Sequence, residues 1–444
     1  MKLDNQVYKL LFSKFNSLRK FFEITSEQRT VLRLSASTAM SQMLTFLVLP
    51  ILTHIYAPKE YGRMTFFISA AAILVSVSTL KLETVLSLQN NEIESKELVG
   101  SIFTLVLFIS CIAFPISLVL QWSLFQVGID IWSSLLISAI IIVQSAVVVF
   151  TQLAFKLRRY KFVEIAGPIQ NASTSLSQFF FGLIKPTAIS LFIAFIIGRI
   201  AGLIPYRFEV RRYLTICNPG KAIGVISSYW AKSRYLFFAS LYETFTAFLP
   251  ILAISTFFGL NLAGYVGLVQ SIMLAPTVLI GSTFASVLLA EISHSKNELN
   301  LTEKSISVQI FRMMKPLWVT TGLFIGFTVV VGPRVFQLIV NERWYGATTL
   351  IAWLAIPYGI SIIWKSFGNV YIIQNRWKEY SRIVMFSGFL SLLFGCIALI
   401  VELNWKVIVV AFIGGQSIGQ AIGIINVIKH LSAQRIKSVD NLRG

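Results

Sequence analysis

Long apolar runs, separated only by short polar loops, recur about twelve times along this chain. A helix needs about 20 apolar residues to cross the hydrocarbon core of a bilayer. No water is available there to bond exposed backbone amides, so such runs are read as helices. The expected spans are 33–56, 63–88, 98–125, 132–155, 162–184, 188–206, 234–258, 262–290, 313–339, 347–373, 381–402 and 405–429. They take up nearly all of the 444 residues and leave no stretch for a separate soluble domain. The longer ones imply tilt, or extension beyond the bilayer. Only 13% of residues are charged, against about 25% in a typical soluble domain.

The formal net charge of +19 would point to nucleic acid in a soluble protein. Here the cations flank membrane spans, where positive-inside bias and anionic lipid account for them. No basic patch with interleaved aromatics lies outside the spans, so no nucleic-acid partner is expected. With the N-terminus placed inside, the inner loops carry clusters such as Lys156, Arg158, Arg159 and Lys161, and Arg207, Arg211, Arg212, Lys221, Lys232 and Arg234. The outer loops hold only Lys59, Arg63, Lys185, Arg334, Arg343 and Lys406. This asymmetry predicts cytoplasmic termini and an even number of spans.

The chain divides into an amphipathic cytoplasmic segment (1–30), a six-helix bundle (31–206), a cytoplasmic linker (207–233), a second six-helix bundle (234–430) and a cytoplasmic tail (431–444). In the first segment Val7, Leu10, Leu11, Phe15, Leu18 and Phe22 recur at helical spacing between basic residues. The pattern fits a helix lying on the inner leaflet, or a mobile basic tail. A weak internal echo supports two related halves. Phe46-Leu47-Val48-Leu49-Pro50-Ile51-Leu52 is matched by Phe248-Leu249-Pro250-Ile251-Leu252, and each is followed about a dozen residues later by a glycine, Gly62 or Gly264, that opens the next span. Repeated bundles of this kind are a transporter signature. Pro50 and Pro250 each remove a helical hydrogen bond, giving bends suited to alternating access or merely tolerated by packing.

Cys111, Cys217 and Cys396, and likewise His54, His294 and His430, lie far apart with no metal-binding spacing, so no metal or cofactor is expected. No nucleophile–base arrangement or Gly-rich phosphate loop is visible, so the chain is not expected to be an enzyme. Ionisable residues inside spans are the candidates for function, because a charge in hydrocarbon costs several kcal/mol, roughly 3 at the bilayer centre by insertion scales. These are Lys81, Arg199 and Lys365 as ligands for an anionic substrate, with Arg33 and Gln42 beside them, and Glu83 and Glu243 for ion coupling or structural pairing. All but Glu83 have a plainer alternative: snorkelling for Lys81, an extension of positive-inside bias for Arg199 and Lys365, an interface anchor for Arg33, interhelical hydrogen bonding for Gln42 and a structural carboxylate for Glu243. Lys81 and Glu83 are two apart, about 200° on a continuous helix. They are therefore expected to face different surroundings and not to pair readily.

The run Pro50-Ile51-Leu52-Thr53-His54-Ile55-Tyr56-Ala57-Pro58-Lys59-Glu60-Tyr61-Gly62 resembles the first hairpin of bacterial polysaccharide flippases, the O-antigen and capsule translocases of the multidrug/oligosaccharidyl-lipid/polysaccharide (MOP) superfamily. Leu80-Lys81-Leu82-Glu83 is similar to that family's basic-x-Glu step. Phe248–Leu252, Gly264-Tyr265 and Pro276–Gly281 are similar to its seventh and eighth spans, and Arg343-Trp344 to a turn before the tenth. His54 and Gln270-Ser271 depart from it, standing where basic residues are frequent. The resemblance implies an all-α polytopic fold of about twelve helices in two bundles around a cationic cavity. It implies a flippase of the bacterial cytoplasmic membrane, moving an undecaprenyl-pyrophosphate-linked oligosaccharide from the inner to the outer leaflet for O-antigen or other surface polysaccharide. A polysaccharide polymerase and a chain-length regulator are the implied protein partners, beside membrane lipid. The alternatives are a cation-coupled drug exporter of the same superfamily, an O-antigen polymerase or membrane glycosyltransferase, and an envelope scaffold.

Overall fold

The computed structural model of the chain describes residues 26–86, 91–125, 131–298, 303–373 and 376–440. The amphipathic segment expected at 1–30 falls almost wholly outside them. The helices are α1 (Ser26–Ile55), α2 (Pro58–Thr79), α3 (Leu82–Val85), α4 (Glu92–Phe125), α5 (Ile131–Lys156), α6 (Tyr160–Ile184), α7 (Ala188–Leu203) and α8 (Arg207–Tyr213) in the first half. The second half holds α9 (Pro219–Phe258), α10 (Leu260–Glu298), α11 (Glu303–Val330), α12 (Gly332–Ile339), α13 (Thr348–Ile373), α14 (Trp377–Ile400) and α15 (Trp405–Asp440). Among the described residues there is no strand.

Among the described residues, ten helical stretches are long and apolar enough to cross a membrane, and α11 with α12 makes an eleventh, bent by 58°. The chain is a multi-pass membrane protein. The twelfth expected span is α6, 25 residues long, or about 37 Å by helical rise. It has the length to cross. Gln170, Asn171, Ser173, Thr174, Ser175, Ser177 and Gln178 make it less apolar than the rest. It packs between α1 and α7, so protein covers much of what lipid would not accept.

Two other segments differ from the sequence-based expectation. The linker expected at 207–233 is mostly helical: α8 follows a 3₁₀ turn, residues 214–218 are extended, and α9 has already begun at Pro219. The extended stretch is tied to α4, because the Thr104 hydroxyl donates to the Cys217 carbonyl (3.2 Å) and accepts from its amide (3.1 Å). Arg212 pairs with Glu92, Lys221 with Glu97, and Arg159 with the buried Glu209. The expected tail is also partly helical, since α15 runs on to Asp440.

The halves meet where α1, α2 and α4 pack on α9 and α10. At one end of this interface the two matched glycines touch the opposite helix. A Cβ on Gly62 would lie 1.9 Å from the Leu260 carbonyl oxygen, and one on Gly264 would lie 2.1 Å from that of Pro58. The first turns of α2 and α10 thus cross backbone to backbone, which no larger residue allows. Trp344, wholly buried, donates its indole N–H to the Thr53 carbonyl (3.0 Å) and takes the edges of Tyr61 and Tyr265 at 5.6 and 6.0 Å. The motif residues of the first hairpin and those of the turn before α13 form this one junction.

Candidate substrate chamber

At the other end of α2 the helix breaks. Leu80 (φ 48°, ψ 24°) and Lys81 (φ 55°, ψ 19°) are both left-handed, a conformation that costs about 1–2 kcal/mol per non-glycine residue. The break cancels the 200° separation expected on a continuous helix. Lys81 Nζ lies 3.4 Å from Glu83 Oε1, with Glu83 buried and Lys81 29% exposed. The expectation that these two do not pair is therefore corrected: it assumed a helix, and the chain turns instead.

Lys81 and Glu83 line a chamber of about 290 Å³, together with Gln144 from α5, Phe195 and Arg199 from α7, and Thr244 and Phe248 from α9. Arg199 stacks on Phe195, its guanidinium carbon 4.4 Å from the ring centroid. Three buried polar atoms facing this region have no protein partner among the described residues: Glu83 Oε2, Gln144 Oε1 and Arg199 Nε. A buried polar group left unsatisfied costs about 1–3 kcal/mol. The chamber therefore holds both donor and acceptor capacity that a polar ligand or water can use. Gln144 lines the chamber, whereas Gln420 bridges helices by accepting from Ser361 at 2.8 Å.

Glu243 is exposed on α9, one residue before the chamber's Thr244. Its carboxylate is attracted electrostatically by both Lys365 and Lys81. Lys365 sits on α13, its Cβ 2.9 Å from where a Cβ on Gly281 would be. Glu243 is therefore within electrostatic reach of one cation from each half. Lys81, Glu83 and Arg199 share the lining of the chamber, and Glu243 couples electrostatically to Lys81 and Lys365. Thr244, Ser76 and Phe195, which also line the chamber, were missed, having no signal that marks them in an apolar span.

The other two candidates lie elsewhere. Arg33 is exposed near the start of α1 and lines none of the described cavities. Gln42 lines an apolar groove of about 450 Å³ between α1, α10, α11 and α12, away from the charged chamber. Placing Gln42 at the anion site is therefore corrected: its helix face turns toward α10 and not toward α7.

A second chamber, about 280 Å³, shares Ile68, Phe195, Arg199 and Phe248 with the first. It continues along α2 toward Tyr61. The two follow α2 from Tyr61 to Thr79, about 27 Å by helical rise, close to the thickness of a hydrocarbon core.

No protein-family model matches this chain, and no curated protein does. Solved structures do. An inward-facing multidrug resistance MATE transporter of the MOP superfamily superimposes with a TM-score of 0.66 at 12% identity, covering 90% of this chain and 98% of that one. A MOP superfamily transporter from Pyrococcus furiosus, described as having a binding pocket of reverse polarity, gives 0.60 at 12% identity over 92% and 97%. A MATE structure in complex with MaD3S gives 0.59 at 12% identity over 92% and 97%. At such identities the likeness establishes architecture: this chain has the fold of the MOP superfamily transporters along nearly its whole length.

Proposed function

We propose that this chain is a flippase for an undecaprenyl-pyrophosphate-linked oligosaccharide in the bacterial cytoplasmic membrane, working by alternating access. The observation that carries the reading is the pair Lys81 and Arg199 on one intramembrane chamber, with Lys365 close by. Lysine and arginine are the side chains best suited to a diphosphate, and their attraction is strong where water is scarce. The Arg199 guanidinium has an N–H with no partner among the described residues, ready for a phosphate oxygen. The chamber holds the polar head, while the polyprenyl chain stays in lipid. With cytoplasmic termini, the Gly62–Gly264 junction lies at the outer face, and the headgroup is loaded at the Lys81 end.

A second reading, a cation-coupled drug exporter, is favoured by the two carboxylates. Glu83 and Glu243 offset two of the three cations, and a proton or a cationic drug has a place to bind beside them. One experiment separates the two. In proteoliposomes containing a pyrophosphate-linked oligosaccharide lipid, the flippase reading expects movement of the labelled head that Lys81→Ala and Arg199→Gln abolish. Transport of cationic dyes without any movement of the lipid head would establish the exporter instead. In cells lacking a substitute, deletion of the gene is expected to remove a surface glycan and leave its lipid-linked unit inside.

A further inference from the structure

The second chamber differs in kind from the first. Arg199, at the shared waist, is its one charged lining residue among those described. The remaining polar lining is neutral: the amides of Asn171, Gln178 and Gln270, and hydroxyls that include those of Tyr61 and Ser271. The Asn171 amide donates to the Ser41 carbonyl at 3.1 Å, and the two hydroxyls stand 3.5 Å apart. Among the described residues the side-chain amides of Gln178 and Gln270 have no hydrogen-bond partner. They come from opposite halves, α6 and α10, and face one space. Two unengaged amides on a chamber with aromatic walls fit a ligand rich in donors and acceptors and lacking charge. A carboxylate, the feature a cationic ligand requires, is missing from the described lining.

We propose that this chamber is a neutral, hydroxyl-binding subsite, in which Gln178 and Gln270 read the sugar of the substrate while Lys81 and Arg199 hold its phosphate. The inference rests on the flippase reading for the phosphate half, and stands apart from it for the sugar half. Each amide offers two donors and one acceptor oxygen, matching vicinal hydroxyls. Tyr61, Phe195 and Phe248 supply apolar faces. Because the ligand is gripped from both halves, a head lacking sugar engages only the Arg199 end. Selection between glycosylated and bare lipid pyrophosphates then follows from unmet hydrogen bonds, the strongest kind of discrimination that a polar site makes.

The test uses the full chain in lipid nanodiscs and three probes: farnesyl pyrophosphate, the same lipid pyrophosphate carrying a disaccharide, and hexyl maltoside. The glycosylated probe is expected to bind about tenfold more tightly than farnesyl pyrophosphate, the size of preference that one or two good hydrogen bonds give. Gln178→Leu with Gln270→Leu should erase that preference and the binding of hexyl maltoside, leaving farnesyl pyrophosphate binding unchanged, which also reports that the protein is folded. If the double leucine variant does not fold, Gln178→Asn with Gln270→Asn shortens both amides and should reduce the preference. Equal binding of both lipid probes by the unaltered protein, or a preference that survives these variants, overturns the proposal. A persistent sugar preference with farnesyl pyrophosphate binding indifferent to Lys81→Ala and Arg199→Gln would remove the anion reading and leave the neutral subsite standing.

Discussion

At the Gly62 end of the interface, α2 and α10 touch through bare backbone, and three aromatic rings fill the space around them. At the Lys81 end the same helix α2 has stopped, two residues have turned left-handed, and Lys81, Glu83 and Arg199 line a cavity. The first end is close-packed around glycine and aromatic residues. The second is loose, charged and contains polar atoms with nothing to bond. Tight packing of small residues is how helices adhere in lipid, whereas intramembrane charge is expensive unless it works. The contrast assigns adhesion to one end of α2 and chemistry to the other.

Substitutions at the two ends should therefore separate stability from transport. The largest expected effect is at the junction: Gly62→Leu should prevent the halves from closing, and Gly62→Ala should cost about 3 kcal/mol or more, since a methyl group there overlaps a carbonyl oxygen. Thermal unfolding in detergent measures this, and an unchanged midpoint for Gly62→Ala would break the comparison. Next comes Lys81→Ala, which leaves Glu83 buried without its cation and should destabilise by roughly 3 kcal/mol besides stopping transport. Adding Glu83→Gln should restore the unfolding midpoint but not transport. Recovery of both would reduce Lys81 to a structural partner. Lys81→Arg should keep most activity.

Smaller effects sharpen the boundary. Trp344→Phe removes the hydrogen bond to Thr53 and strands its carbonyl, at about 1–2 kcal/mol, with transport by the folded fraction unaltered. At the exposed contact between halves, hydrogen bonding to the Glu97 carboxylate raises the Lys221 ammonium above the ordinary lysine value. The raised value means that the contact is complete at neutral pH and lost only as pH climbs through the alkaline range. Lys221→Met should leave the unfolding midpoint unmoved at neutral pH, as is usual for exposed ion pairs.

Much of this architecture was legible in the residues. Length and hydropathy gave the spans, since bilayer thickness leaves little choice. The echo of Gly62 and Gly264 pointed to two related halves, although nothing in the sequence says that the two glycines meet each other. The intramembrane charges themselves were legible too, because a lysine or glutamate in an apolar run stands out. The pairing of Lys81 with Glu83 was not, for it depends on a left-handed break at two residues, Leu80 and Lys81, that carry no glycine or asparagine to announce it. The place of Gln42 was not legible for a related reason: it is an amide in an apolar helix, and only the rotation of α1 against its neighbours decides which cavity it meets.

One helix carries a further mechanical consequence. α9 runs unbroken for 40 residues, is fastened near its first turn to Glu97, and presents Thr244 and Phe248 to the chamber just ahead of Pro250. From Pro219 to Pro250 it is about 46 Å long. A swing of about 10° around the proline as fulcrum would carry the far tip through about 8 Å, if the rod stays rigid over that rise. A small rearrangement beside the chamber would thereby be geared up into a large displacement at the far end of the helix, and tugging on the fastened tip would be felt at the fulcrum with corresponding leverage.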